Sequence, residues 1–156
     1  MFRSILRCMP LLLVACGSPQ HVRLGVPSQL RPEAAATPGQ IEVRVSGIPR
    51  VEGQLYVELY DEGSYFHYDR VLNEKIVPVT ATAMTVPLEH VPPGRYMVVV
   101  SHDANSNNRL DTNVFGAPTE AYGFSRGARG SFGPPPFGEG AFDFDGTRTV
   151  VAVGIR

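Results

Sequence analysis

Beyond residue 39 the chain alternates apolar and polar residues with a period of two, in runs too short and too often broken for helices. Ile41, Val43 and Val45 alternate with Glu42, Arg44 and Ser46, and Leu55, Val57 and Leu59 with Gln54, Tyr56, Glu58 and Tyr60. Met84, Val86 and Leu88 repeat the pattern, and Val151, Val153 and Ile155 close the chain. The run Tyr96 to Ser101 (YMVVVS) is apolar on both faces and predicts a central strand. Successive strand residues face opposite sides, so each run presents one face to a core and one to solvent. Gly and Pro occupy 30 of 156 positions, which excludes a helical bundle, while a 43% hydrophobic share excludes a disordered chain. The one helical-looking stretch is Asp69–Ile76, where Val71, Leu72 and Ile76 could share a face for a turn or two. These signals predict an all-β, antiparallel β-sandwich of one domain, with no internal repeat.

The first residues read as an address. Arg3 and Arg7 precede a short apolar core, Leu11–Leu13 with Val14 and Ala15, far below the roughly 20 residues a spanning helix needs. Leu13-Val14-Ala15-Cys16-Gly17 is similar to the lipobox of bacterial lipoproteins, in which the Cys becomes the lipidated first residue. The alternative is an ordinary signal peptide with a chance Cys at its end. Residues 1–15 are thus expected to leave as a signal peptide, taking Arg3 and Arg7 and moving the formal net charge from -1 to -3. Both cysteines, Cys8 and Cys16, lie in this segment, so the exported domain carries no thiol chemistry. Several acyl chains on one residue anchor a protein stably. Gly17 in place of Asp favours the outer membrane in a Gram-negative host.

Residues 16–39 carry four prolines and no sustained period, and read as the lipidated Cys and a flexible tether. An edge segment docked around Val22–Val26 is the alternative. The domain is expected over 40–156, with strand spacings of immunoglobulin or transthyretin type. It contains one long ordered loop at about 102–140, rich in Gly, Pro, Asn and Phe and too long to be an idle connection.

Within that loop, residues 102–113 read HDANSNNRLDTN. Asp103, Asn105, Asn107 and Asp111 fall at the first, third, fifth and ninth positions of a calcium loop, and the Arg109 carbonyl at the seventh. Alternating side-chain oxygens on a tight loop point inward, which suits a hard cation that takes six to eight oxygens. Leu110 would anchor the loop, and Asn108 stands at the turn usually held by Gly, a place Asn tolerates in the left-handed conformation. Val114 stands where a bidentate Glu is usual, so a further ligand would have to come from Glu120, Asp143 or Asp145. The expectation is a structural Ca²⁺ of weak, extracellular type; the competing reading is a metal-free loop held by Asx turns.

Gly94-Arg95-Tyr96, HDANSNNRLDTN at 102–113, Phe115-Gly116-Ala117-Pro118-Thr119-Glu120, Tyr122-Gly123-Phe124-Ser125 and Phe132-Gly133-Pro134-Pro135 form an ordered series. It resembles the bacterial domain-of-unknown-function family 2141, small secreted or envelope proteins, over about 40–156. The resemblance implies no established activity. Ala104, Ser106 and Asn108 depart from that pattern, and many relatives lack a lipid anchor. Pro92-Pro93-Gly94-Arg95-Tyr96 before the loop is also similar to calcium-loop β-sandwich repeats of the Cna-B and SdrD type, which implies a transthyretin-like fold.

An enzyme is the competing class. A hydrolase could be drawn from Ser125, His102 and Asp103, or from His102 and Glu120 in an unassigned pocket. Yet adjacent strand residues face opposite ways, and Gly123-Phe124-Ser125-Arg126-Gly127 lacks the strand and helix of a nucleophile elbow. His67, His90 and His102 show no zinc spacing. Tyr122, Phe124, Phe132, Phe137, Phe142 and Phe144 either form an exposed platform for a glycan or peptide or fold back to cap the sandwich, and capping avoids a large apolar patch. A net charge of -1 without like-charge runs gives no nucleic-acid footprint. The sequence therefore predicts a non-enzymatic, lipid-anchored envelope module, binding or structural, that touches the membrane through its anchor, with an envelope protein or glycan as the candidate ligand.

Overall fold

The computed structural model describes residues 39–156 apart from Phe66, Ala117 and Phe132. The expected signal peptide, Cys16 and the tether lie outside the described residues, except that Gly39 already opens the first strand. The eight strands are β1 (Gly39–Ser46), β2 (Gln54–Tyr60), β3 (Asn73–Pro78), β4 (Ala83–Val91), β5 (Gly94–Asp103), β6 (Tyr122–Phe124), β7 (Phe142–Phe144) and β8 (Arg148–Gly154). One helical turn, α1 (Phe137–Gly140), and short 3-10 turns at Tyr68–Arg70 and Ser125–Gly127 complete the elements.

The strands form two sheets, one ordered β4-β1-β8 and one ordered β3-β2-β5-β6, with β7 beside the start of β5. Ile41, Val43 and Val45 of β1, Val86 and Leu88 of β4 and Val151 and Val153 of β8 point from the first sheet. Leu55, Val57 and Leu59 of β2 and Tyr96, Val98 and Val100 of β5 meet them in one core. The all-β sandwich is thus built by the alternation itself. One pairing departs from the antiparallel expectation: β1 and β8 run parallel, Val43 beside Val151 and Val45 beside Val153. Because β7 and β8 lie on different sheets, β8 arrives by a crossover and not a hairpin, and a crossover allows parallel pairing.

Local chemistry fits the strand positions. Pro87 lies in β4, an edge strand, where a missing N–H costs no ladder bond. The Tyr96 hydroxyl donates to the Pro92 carbonyl at 3.0 Å, pinning the entry to β5 in the manner of a tyrosine corner. The stretch expected to be helical, Asp69–Ile76, is instead a 3-10 turn followed by β3, in which Ile76 pairs with Tyr56. Pairing along β2 outweighs a weak helical face, since a single turn gains little on its own.

The second sheet also carries a load on its outer face. Tyr60, Met97 and Phe124 of that face are covered by Tyr65, Phe137 and Ala141 in a second, smaller core. The Tyr65 ring lies 6.1 Å from Tyr60 and 5.9 Å from Phe137, and its hydroxyl donates to the Pro135 carbonyl at 2.8 Å. The long segment after β5 is therefore divided by β6, the Ser125 turn and α1, and its aromatics mostly cap. Phe124, Phe137 and Phe144 are buried, and Phe142 packs against the main core. Phe132 lies outside the described residues.

Candidate functional site

β5 is long enough to run past this small core. Its outward residues are Met97, Val99, Ser101 and Asp103, of which only Met97 belongs to the small core while Val99 packs at its margin. β2 alongside presents Tyr56 and Glu58 on the same face, with register partners Ser101 and Val99. On the far side the chain leaves β5 at Asp103, loops through 104–121 and returns as β6. The small core forms one wall and this loop the other, and between them lies a cavity of ≈ 640 Å³.

Its lining sets tyrosines against acids. Tyr56, Tyr60 and Tyr122 contribute rings, and Glu58, Glu74, Asp103 and Glu120 carboxylates, against the single cation Arg109. Glu58 of β2 stands directly across from Glu74 of β3. The Tyr60 hydroxyl donates to Glu58 Oε2 at 3.1 Å. Burial pushes the Glu58 carboxyl above the ordinary glutamate value and the charge of Glu74 adds to the rise, while the Tyr60 bond opposes it. The Tyr56 phenol is raised as well, first by burial and then by the charges of Asp103, Glu74 and Glu58. Among the described residues, the ion pairs join Glu42 with Arg44 and Arg148, and Arg50 with Glu52, so neither Glu58 nor Glu74 has a cationic partner.

The loop is ordered by the residues expected to hold calcium. Asp103 is buried and accepts from the backbone N–H groups of Asn107 at 3.1 Å and Asn108 at 2.7 Å. Asn105 Oδ1 accepts from the Asn107 N–H and Asn107 Oδ1 from the Arg109 N–H, at 3.0 and 2.9 Å. The amides of Asn105 and Asn107 donate to the two carboxylate oxygens of Asp111 at 2.7 and 3.0 Å. Ser106 and Asn108 take left-handed backbone conformations with φ of 58° and 62°, as expected at Asn108. The Asn108 side chain then accepts from the Tyr56 hydroxyl at 2.9 Å, tying the loop to the cavity floor.

The structure therefore brings Asp103, Asn105, Asn107 and Asp111 together, but as a set of two carboxylates and two amides. Among the described residues no group of three or more His, Cys, Asp or Glu side chains is gathered as a metal-binding set. The structure also places the further ligands and the anchor expected for this loop. Glu120 accepts from Ala104 N–H and Asp111 N–H, both at 2.9 Å, and so staples the two ends of the loop. Asp143 lies across from Arg95 in the strand register at the opposite end of β5, and Asp145 accepts from the Thr147 backbone and hydroxyl. Leu110 is 42% exposed and faces the cavity, so it anchors nothing.

The residues drawn into hydrolytic schemes are not assembled. His102 points into the sandwich, 2.8 Å from the Glu52 carbonyl, whereas Asp103 and Glu120 line the outer cavity. Alternation along β5 enforces that separation. Ser125 is fully buried, donating to the Gly140 carbonyl at 2.6 Å and accepting from the Val98 N–H at 3.0 Å.

Glu58, Glu74, Tyr56 and Tyr60 were not singled out by sequence reasoning. The available signal was the outward face of β2, Tyr56-x-Glu58-x-Tyr60, where two large rings flank an acid. The family model described as "uncharacterized protein conserved in bacteria" (DUF2141) matches residues 43–152, from within β1 to within β8. No curated protein and no solved structure matches the chain.

Proposed function

The chain belongs to the bacterial domain-of-unknown-function family 2141, and from that premise we propose that it is a non-enzymatic ligand-binding module. In this reading Cys16 tethers it to the cell envelope, at the outer membrane in a Gram-negative cell. The observation that carries the reading is the cavity on the outer face of the second sheet, concave and walled by aromatic rings with a few convergent polar groups. A sheet face left to solvent would carry scattered polar side chains. Here it is walled on two sides, and the second wall is the Asn-rich loop.

Ca²⁺ is part of the proposal, as the ion that sets this wall. Asp103, Asn105, Asn107, Asp111 and the Arg109 carbonyl would supply its oxygens. The side chains of Asp103, Asn105, Asn107 and Asp111 already converge, and turning the Asn105 and Asn107 amides about their terminal torsions would present oxygen where nitrogen now faces Asp111. Two carboxylates suit the weak affinity of extracellular calcium modules.

Thermal unfolding of the full chain in detergent, in chelator and in millimolar CaCl₂ with MgCl₂ as control, tests this. At a hundredfold excess over Kd, linkage gives about 2.7 kcal/mol of stabilisation. The rise is expected with Ca²⁺ alone and is expected to vanish in Asp103→Asn, which keeps an acceptor for one of the two N–H groups of Asn107 and Asn108. Equal midpoints in chelator and CaCl₂ would reject the ion and leave a loop held by its own Asx turns.

A further inference from the structure

Half-buried Glu58 and exposed Glu74, on the edge strand β3, stand across from each other in the lining of a cavity that tyrosines wall, without a cationic partner among the described residues. Two adjacent carboxylates repel, and the partial burial of Glu58 makes its charge costlier. A fold that wanted only stability would place a Lys, Thr or Gln at one of the two positions, since like charges directly opposite on neighbouring strands destabilise. The neighbours are also of one kind. Tyr56 and Tyr60 flank Glu58 on the same strand, and Tyr122 faces them from β6. Ring faces carry negative potential, so rings and carboxylates all favour a positive charge. Arg109 is the only cation among the described lining residues and makes no ion pair among the described residues, so the pair is not neutralised by them.

We propose that this cavity takes an organic cation: an ammonium or guanidinium group on an apolar or aromatic body. The charged head sits between Glu58 and Glu74, and the body lies against Tyr60, Tyr122 and Phe124. The volume of ≈ 640 Å³ admits a molecule well beyond a bare metal ion, and sits in the range of small-molecule sites. A hydrated divalent ion would find oxygens but waste the rings, while an anion would be repelled by the two carboxylates. The inference rests on the reading of the protein as a binding module and specifies the chemistry of its ligand.

The test uses three probes of one shape and different charge: benzylammonium, benzyl alcohol and benzoate. Each is titrated into the ¹⁵N-labelled full chain in detergent with millimolar Ca²⁺, following amide shifts on β2, β5 and β6. Benzylammonium is expected to shift residues around Glu58, with benzyl alcohol at least tenfold weaker and benzoate silent. Glu58→Gln, which retains an acceptor for Tyr60, and Glu74→Gln are each expected to weaken benzylammonium about tenfold and leave benzyl alcohol unchanged. If the three probes bind alike, or the Gln variants bind benzylammonium as wild type does, charge recognition is overturned while the binding module stands. Absence of shifts with every probe removes both.

Discussion

At the scale of single residues, Glu58 is where the sandwich gives up stability. Its carboxyl is held above the ordinary glutamate range by burial and by Glu74, so the folded state binds a proton more readily than the unfolded chain. The stabilisation from protonation is complete below the unfolded value and is lost as pH rises through the folded one. The groups that face it are Tyr56 and Tyr60 on β2, Glu74 on β3, Tyr122 on β6 and Arg109 of the loop. Opposite in sign are Glu42, Asp61 and Asp145, which hydrogen bonds hold below their usual range, so their contribution is lost on acidification. A plain pH–stability curve mixes the two signs, and a difference curve separates them. Wild type minus Glu58→Gln, measured by urea unfolding from pH 7 down to 4, is expected to rise toward acid pH. A flat difference would mean that Glu58 titrates as a solvated carboxylate, and that the cavity floor is wetter than its lining implies.

Among the elements, β5 organises the rest, and its far edge shows how. β7 pairs with residues Gly94–Tyr96 and β6 with Val99–Ser101, leaving a break in the ladder between them. The Val98 N–H falls in that break and is satisfied by the Ser125 hydroxyl, which in turn donates to the end of α1 at Gly140. Ser125→Ala strands a buried N–H and a buried carbonyl, and is expected to cost about 1–3 kcal/mol in denaturant unfolding. An unchanged midpoint would show that water enters the break. The same break explains what the sequence could tell. Long strands with one buried face, β1, β2, β4 and β8, are written in alternation, and β5 in a run apolar on both faces, so all five were legible. β6 and β7 have three residues each, too few for a period, and exist because β5 offers them an edge. β3 reads as a helical turn because its apolar residues are few and Ile76 is 45% exposed; pairing with β2 defines it. The Asn-rich loop was legible because its chemistry lies within nine consecutive residues. The cavity was not, because Glu58 and Glu74 become neighbours only through the register of β2 with β3.

For the whole molecule, the proposed division of labour puts stability and location in different places. The only two cysteines, Cys8 and Cys16, precede the domain, so no disulfide can form among residues 39–156 and the sandwich stands on its cores. Location falls to the leader, and Cys16 is where its two readings diverge. If the Leu13–Cys16 stretch acts as a lipobox, the thiol carries a diacylglycerol unit and the amine a third chain. At about 0.8 kcal/mol for each buried CH₂, several chains hold a protein to a bilayer essentially permanently. If instead the leader is an ordinary signal, the processed protein carries no lipid and has no helix among its described residues long and apolar enough to cross a membrane. Detergent phase partitioning of cells expressing the full chain separates these. Wild type is expected in the detergent phase and labelled by a radioactive fatty acid, and Cys16→Ser is expected in the aqueous phase, unlabelled. Wild type and Cys16→Ser should unfold at the same midpoint, since the cores described for the sandwich are built from residues 41–155. Partitioning of wild type into water would withdraw the anchor and leave a freely diffusing binding module, because the cavity's chemistry is set by β2, β3, β5 and their loop.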